Sequence, residues 1–401
     1  MSVIRAIPPA AAPITLRELM NGLQGILGKD AERNLEKGLK EHFGTRHVFL
    51  VSSGKAALYL ILCGLHRLTG KKKVIIPAYT CFSVPSAVRF AGLEIVLCDI
   101  VPETLDFDFP RLERLIGEDT LCVVSTHLFG IPADTERVRG LCAAKGAFVV
   151  EDAAQAMGVE HEGKKLGTLG DVGFFSLGRG KNITCGSGGI ILTSSEEIAG
   201  AIRARYDEAE NVPAAEYVKT VLEIVFMMVF LRPSLFGLPK RLPFLKLGET
   251  RFYESYPVRR FTGFQAGILA DWPSKLERLN RSRAMHGNRY KKRLGLPNGW
   301  PIYSGEWSYN RFPVYAGDRR SKDALCTEGD MLGITPMYPS AVHRIPELLG
   351  RFDGMEFGGA DRISDTLVTL PTHILMDDRD TESIGERVAR HGLKLQEAPC
   401  T

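Results

Sequence analysis

The sequence lacks the spacings that would indicate a metal site or a disulfide framework. Its eight cysteines are scattered singly, without a Cys-x-x-Cys pair or the mixed His/Cys spacing of a metal ligand set. They are Cys63, Cys81, Cys98, Cys122, Cys142, Cys185, Cys326 and Cys400. Because several of them lie within apolar runs, we expect buried free thiols in a reducing cytosol and no bound metal.

Basic blocks, dinucleotide-binding loops and a secretory leader are missing as well. The formal net charge is only +4 and the longest lysine cluster is the short run 71–73, so we expect no nucleic-acid partner. No Gly-x-Gly-x-x-Gly motif follows a predicted strand, which argues against a Rossmann dinucleotide site. Residues 1–13 contain one arginine and no long apolar stretch, so we expect no secretory signal and a cytoplasmic location.

What the sequence does contain is the alternation of an α/β protein. Its 401 residues are 44% hydrophobic and 24% charged, which is ordinary for a globular protein of a large and a small domain. Apolar segments of strand length alternate with helical patterns along the chain. The predicted strands are 48–51, 74–77, 94–99, 121–125, 148–152 and 172–177. The predicted helices are 16–27, 31–42 with Asp30 as N-cap, 58–68, 83–90 and 265–294, the last broken near residue 272.

The most informative stretch runs from residue 148 to residue 192. An apolar strand ends at Asp152, and an acid at the carboxyl end of a parallel strand faces the crevice where α/β sheets bind ligands. The next apolar strand leads to a glycine-flanked lysine, Lys181. A reachable lysine that binds an aldehyde, with an acid that keeps a pyridine nitrogen protonated, is what a pyridoxal phosphate enzyme requires. Taken singly, Asp152 is more simply explained as a helix cap and Lys181 as an ordinary loop residue, but their order and context together favour the cofactor site.

A second candidate site precedes this stretch. Strand 48–51 runs into Ser53, Gly54 and Lys55, and a helical pattern follows. A strand, a turn of small residues and a helix N-terminus together form an anion site from backbone N–H groups and the helix dipole.

Several of these motifs resemble one known family. Segment 151–156 (E-D-A-A-Q-A), Ser176 with G-K-N at 180–182, and G-S-G-G at 186–189 are similar to the core motif of the DegT/DnrJ/EryC1/StrS sugar aminotransferases. The likeness covers most of the chain and includes R-F-T-G-F-Q-A at 260–266. It implies a fold-type-I pyridoxal phosphate transferase, α/β in class, with a mostly parallel sheet in a large domain (1–250) and a small C-terminal α+β domain (251–401).

The resemblance also implies roles for individual residues. Lys181 would bind the cofactor covalently and move protons, while Asp152 would pair with the pyridine nitrogen. Gln155 would contact the cofactor ring or its phenolic oxygen. Ser176, Ser53, Gly54 and Lys55 would hold the phosphate, with Lys55 in the place of the family's usual threonine. Its ammonium either adds charge near the phosphate or points to solvent.

One family position is occupied by an unusual residue. Where the family has an aromatic side chain that stacks on the cofactor ring, this chain has Cys81, with Tyr79 and Phe82 beside it. The stacking residue is therefore open among these three. His127 also matches a family position, although a single histidine after a strand is more often a hydrogen-bonded structural residue.

The implied reaction is transfer of an amino group, with glutamate as the usual donor, to a keto sugar that is commonly nucleotide-linked. The implied setting is cell-surface polysaccharide or secondary-metabolite biosynthesis, and the implied assembly is a homodimer whose active sites use both chains. The alternatives are sugar dehydration on the same fold, against which the presence of Lys181 argues, and a non-catalytic sensor that keeps the fold.

Segment 217–231 departs from the family. It contains eight apolar residues in a row at 224–231, which is too short to span a bilayer. It is interpreted first as a core or interface helix, with a membrane anchor or the wall of a greasy substrate site as the less favoured alternatives. We expect it to pack against the partner subunit or the small domain of a protein that needs no detergent.

Overall fold

The computed structural model describes residues 5–28, 30–240, 250–296 and 299–391, so the predicted free thiol Cys400 lies outside the described residues. The helices are α1 (Leu16–Leu27), α2 (Ala31–Phe43), α3 (Gly54–Thr69), α4 (Ser83–Phe90), α5 (Phe109–Leu115), α6 (Thr135–Ala143), α7 (Glu196–Tyr206), α8 (Ala214–Phe230), α9 (Pro233–Lys240), α10 (Gly263–Ile268), α11 (Trp272–Leu294), α12 (Pro301–Ser304), α13 (Arg319–Glu328), α14 (Gly358–Thr366) and α15 (Asp378–Arg390).

The strands are β1 (His47–Val51), β2 (Lys73–Pro77), β3 (Glu94–Cys98), β4 (Ile100–Val101), β5 (Asp106–Phe107), β6 (Thr120–Thr126), β7 (Phe148–Asp152), β8 (Glu160–His161), β9 (Lys164–Lys165), β10 (Val172–Ser176), β11 (Gly189–Thr193), β12 (Phe312–Tyr315) and β13 (Leu367–Leu370). The predicted strands and helices are therefore present at nearly their predicted positions.

A seven-stranded sheet with the order β1-β11-β10-β7-β6-β2-β3 organises the fold. Strands β3, β2, β6, β7 and β10 run parallel to one another, and β11 joins β10 and β1 in antiparallel pairs. Every residue of β6 is buried, as expected for a central strand covered on both faces. The large, mostly parallel sheet confirms the predicted fold class.

Helix α3 begins earlier than the sequence pattern suggested, at Gly54 rather than at residue 58. Ser53 explains the early start, because its Oγ accepts a hydrogen bond from Ala56 N at 3.2 Å and caps the helix. At Asp30, by contrast, the predicted position is right but the side chain makes no capping hydrogen bond.

The C-terminal part is a smaller α+β arrangement. Strands β12 and β13 form an antiparallel pair, with α13 and α14 packed against β13 and α15 against the long helix α11. The predicted division between residues 250 and 251 falls beside residues 241–249, which lie outside the described residues. That boundary stays a prediction.

Helix α8 corresponds to the apolar segment predicted at 217–231. Only Ile224 and Met227 are buried along it, so the interpretation as a helix enclosed in the core of the chain is wrong. Its inner side packs against the cluster that contains Phe264 and Ile183, while its outer side is exposed. Within the described residues, no helix combines the length and apolar content needed to cross a bilayer.

Candidate active site

The two predicted catalytic residues lie at the carboxyl edge of the central sheet. Asp152 is the last residue of β7, opposite Phe174 of the parallel strand β10, and Lys181 follows in the loop after β10. Asp152 is only 5% exposed, and its Oδ1 accepts a hydrogen bond from Ala154 N at 3.0 Å. The strand order therefore brings a buried carboxylate and a loop lysine to one edge.

The electrostatics of Asp152 support this placement. Burial raises the pKa of its carboxyl group, and the hydrogen bond from Ala154 and the positive charge of Lys181 partly offset that rise. A buried carboxylate without a full complement of partners is costly unless a cationic ligand compensates it. The environment thus favours binding of a positively charged group beside Asp152.

A buried arginine holds the backbone of the loop that contains Lys181. Arg283 of α11 donates from Nη2 to Lys181 O at 2.9 Å and from Nη1 to Asn182 O at 3.0 Å. Nη1 also donates to Asn280 Oδ1 at 3.1 Å. Burial lowers the pKa of Arg283 to about 10. The side chain fixes the backbone on both sides of the Lys181–Asn182 peptide.

The predicted anion site is assembled as a cradle between α3 and β10. Gly54 opens α3, and the N–H groups of a first helical turn have no acceptors within the helix. A Cβ on Gly54 would lie 2.8 Å from Ser176 Cβ, so only glycine allows this approach. Gly178 N donates to Ser176 Oγ at 3.3 Å. The structure therefore joins Ser53, Gly54 and Ser176, as the sequence suggested.

The side chain of Lys55 is held by two aromatic rings and does not extend freely into solvent. Its Nζ lies 4.1 Å from the ring centre of Tyr253 and 4.4 Å from that of Tyr256. Tyr256 Oη also donates to Lys55 O at 3.0 Å. Burial lowers the pKa of the Lys55 ammonium. The cation is held by two aromatic faces, and the backbone of Lys55 remains part of the helix N-terminus.

Of the three candidates for a ring-stacking residue, two belong to the core. Tyr79 and Phe82 are buried, and the ring centres of Tyr79 and Tyr338 lie 5.3 Å apart. Cys81 is half-buried and has no disulfide partner among the described cysteines. Of these three residues, only Cys81 has a partly exposed side chain. Stacking of Tyr79 or Phe82 on a cofactor ring would therefore require these core side chains to repack.

Gln155 bridges two parts of the chain. Its Nε2 donates to Tyr338 Oη at 2.8 Å, and its Oε1 accepts from Phe129 N at 3.2 Å. Both ends of the amide thus have protein partners, and contact with a ligand would have to be shared with them. Gln155 lies close to Asp152 in the sequence, and its hydrogen bond to Tyr338 connects it to the C-terminal part of the chain.

Directly behind Asp152 is a buried pair that sequence reasoning missed. Glu151 accepts from His127 Nε2 at 2.7 Å and from the N–H groups of Gly167, Leu169 and Gly170 at 2.5, 2.6 and 3.0 Å. Ala133 N donates to His127 Nδ1 at 3.0 Å, so the ring proton lies on Nε2. His127 is therefore structural, as the simpler interpretation of a single histidine held.

Comparison with known proteins gives a consistent picture over almost the whole chain. The model of the DegT/DnrJ/EryC1/StrS aminotransferase family matches residues 13–389. GDP-perosamine synthase of Caulobacter vibrioides is 34% identical over 168 residues, which are 42% of this chain and 45% of that protein. L-glutamine:2-deoxy-scyllo-inosose aminotransferase of Streptoalloteichus tenebrarius is 36% identical over 190 residues, 46% of this chain and 44% of that protein.

These alignments span slightly less than half the length of both curated relatives. Among solved structures, the chain is similar to PseC of Helicobacter pylori, an aminotransferase involved in the biosynthesis of pseudoaminic acid. The TM-score is 0.78 at 16% identity, covering 96% of this chain and 99% of that one. At this identity the likeness concerns the fold.

Proposed function

Because the chain belongs to the DegT/DnrJ/EryC1/StrS aminotransferase family, we propose that it is a pyridoxal 5'-phosphate-dependent aminotransferase that acts on a nucleotide-linked keto sugar. Glutamate is the proposed amino donor, and the product serves cell-surface polysaccharide or secondary-metabolite biosynthesis. The observation that carries the proposal is the position of buried Asp152 and of Lys181 at one edge of the sheet, beside the cradle of Gly54 and Ser176. The proposed assembly is a cytoplasmic homodimer with active sites completed by both chains.

The residues at this edge fit pyridoxal phosphate. The hydroxyls of Thr80 and Thr126, just after β2 and at the end of β6, are buried and have no hydrogen-bond partner within the part of the chain that the structure describes. Polar groups left in this state are satisfied when a polar ligand binds. The N-terminus of α3 suits a phosphate, and Asp152 suits a protonated pyridine nitrogen.

The chemistry divides between the cofactor and the chain. When bound, pyridoxal phosphate supplies an electron sink for a carbanion at the carbon that carries the amino group. Lys181 would accept the proton from that carbon and return it, as a general base and then a general acid. Asp152 would hold a proton on the ring nitrogen. Arg283 would keep the backbone of Lys181 in place while the side chain moves.

The decisive experiment is a half-reaction on the purified protein. Incubation with glutamate is expected to convert the bound cofactor from its aldehyde form to its amine form, which changes the visible absorbance. A screen of nucleotide-linked keto sugars should then reverse the change for one acceptor. Bound cofactor that stays unchanged with every amino acid and sugar would indicate a non-catalytic sensor instead.

We expect Lys181 to be the lysine that carries the cofactor. Its position just past β10 and its electrostatic interaction with Asp152 are the reasons. Borohydride reduction followed by peptide mapping should place the pyridoxyl group on Lys181. Lys55 is the internal comparison, since it lies at the cradle but is held by Tyr253 and Tyr256. A label on Lys55 would contradict the assignment.

Replacing Gly54 with Ala is expected to weaken cofactor binding about tenfold. The added methyl group would meet Ser176 Cβ at 2.8 Å and Oγ at 3.1 Å, which forces the cradle open. Titration of the apoprotein with pyridoxal phosphate measures the change. The matched control is Gly140→Ala in α6, where a Cβ meets no atom within 4 Å. If the parent and the Gly54→Ala protein bound the cofactor with equal affinity, the cofactor phosphate would not bind in this cradle.

A further inference from the structure

The outer face of α8 is an apolar surface that the proposed reaction does not use. Its side chains recur at helical spacing on one face. They are Val218, Leu222, Val225, Phe226 and Val229, with 57, 63, 40, 36 and 44% of their surfaces exposed. We call these five residues the outer stripe.

The helix that carries the outer stripe is anchored from its other side. Ile224 and Met227 are buried, and a Cβ on Gly186 would lie 3.3 Å from the Ile224 side chain. The rings of Tyr217 and Phe264 pack with their centres 5.8 Å apart. Because the inner side is fixed in this way, the outer stripe cannot turn inward without losing these contacts.

The charged side chains of α8 also differ between the side that faces the chain and the exposed side. Glu216 forms an ion pair with Arg259 at 3.1 Å. Glu223 lies 3.9 Å from Arg179. Both acids of the helix therefore lie near cations of the same chain. Two exposed cations, Lys219 and Arg232, flank the outer stripe near its two ends.

We propose that the outer stripe docks on the surface of an anionic phospholipid membrane. A helix that lies in the plane of the interface buries an apolar face among the lipids and places cations at the headgroups. An apolar stripe flanked by two exposed cations, on a chain of net charge +4, has the complementary chemistry for anionic headgroups.

Packing of the outer stripe against the same stripe of a second copy is the poorer alternative. Lys219 and Arg232 are 13 residues apart, or about 20 Å along the helix. Packing of the stripe on itself about a two-fold axis places cation against cation, whether the two helices run parallel or antiparallel. The two acids of α8, Glu216 and Glu223, lie near Arg259 and Arg179 of their own chain. An anionic lipid surface meets both cations favourably.

Docking by α8 would bring the membrane close to the candidate active site. Tyr217 and Thr220 line a small cavity of about 50 Å³ together with Ser52 and Ser187, next to the cradle. Since a helix with its side chains is about 10 Å across, the cradle would lie roughly one helix diameter from the lipid headgroups.

The test is cosedimentation of the full-length holoprotein with vesicles. Vesicles of phosphatidylcholine mixed with phosphatidylglycerol should bind the protein, and added salt should weaken the binding. Vesicles of phosphatidylcholine alone should bind it more weakly. Equal or absent binding to both compositions would overturn the proposal.

Two variants separate the membrane from a protein interface. Leu222→Asp with Val229→Asp should weaken vesicle binding about 100-fold or more, with oligomeric mass and unfolding transition unchanged. Leu349→Asp with Met355→Asp adds the same charge at side chains 67 and 59% exposed elsewhere, and should bind as the parent does. A changed oligomeric mass in the α8 variant would assign the stripe to a second copy.

A milder variant covers the case in which the aspartates disturb folding. Lys219→Gln with Arg232→Gln leaves the outer stripe intact and removes only its flanking cations. Each cation near an anionic surface contributes about fivefold, so binding to phosphatidylglycerol vesicles should fall roughly 25-fold. Binding to phosphatidylcholine should stay unchanged. Unaltered discrimination between the two vesicle types would contradict the electrostatic part of the proposal.

Discussion

The Asp152→Asn variant is expected to retain the cofactor and to lose about two to four orders of magnitude in the rate of the glutamate half-reaction. The amide keeps the shape of the side chain, and the cradle at Gly54 and Ser176 is untouched. A neutral amide cannot hold a proton on the ring nitrogen, so electron withdrawal from the reacting carbon weakens. Rapid-mixing absorbance spectroscopy measures the rate.

The control for this variant is Asp353→Asn, which makes the same chemical change at an exposed position. It should leave the half-reaction rate at the parent level. A rate for Asp152→Asn within a fewfold of the parent would show that another group stabilises the protonated ring.

The same variant has a measurable effect on the apoprotein. Burial raises the pKa of Asp152 in the folded state, so the folded chain binds this proton more tightly than the unfolded chain. Stability contributed by the group is present below the unfolded pKa and is lost as pH rises through the folded pKa. At neutral pH, apo Asp152→Asn should therefore unfold at a higher denaturant concentration than the parent.

Replacing Glu151 with Gln is expected to destabilise the protein by about 2–5 kcal/mol at neutral pH. One oxygen of Glu151 accepts from Leu169 N and Gly170 N, and the other accepts from His127 and Gly167. A glutamine must present its NH₂ group to one of these donor pairs and leaves those buried donors unsatisfied. Denaturant unfolding measures the difference, with exposed Glu113→Gln as the control.

The pH dependence of this difference follows from the pKa of Glu151. Burial raises that pKa, but the hydrogen bonds from His127, Gly167 and Gly170 outweigh burial and lower it. A lowered folded pKa contributes stability that is present above the unfolded value, about 4.3, and is lost as pH falls through the folded value. The difference in free energy of unfolding between the parent and Glu151→Gln should therefore become smaller in acid. A constant gap down to low pH would show that the carboxylate charge has no part in it.

The carboxyl edge of the sheet could be predicted because it depends on short sequence patterns that recur at the end of each strand. Apolar runs end at Asp152 and Ser176, and parallel strands must present their carboxyl ends together. Gly54 opens a capped helix after another such run. These features depend on strand order and turn chemistry, which sequence patterns record. The pairing of Asp152 with Lys181 followed from that order.

The details that sequence did not predict depend on long-range contacts. The rings that hold Lys55 come from Tyr253 and Tyr256, about 200 residues away. The apolar run in α8 could not reveal which of its faces the chain covers. The role of Glu151 could have been predicted, because the alternation of side chains along β7 directs it to the opposite face of the sheet from Asp152. A charged residue there requires buried partners, and His127 is one of them.

The strand order also sets a timetable for synthesis. Strand β1 lies at the edge of the sheet and pairs with β11. Val51 therefore cannot pair with Gly189 until the ribosome has synthesised β11. At 5–20 residues per second, translating the roughly 140 residues between them takes on the order of 10 s. During that interval α3, apolar on most of its sides, has only part of the sheet to cover it. We therefore expect codon choice between β1 and β11 to affect the yield of folded protein without altering a residue.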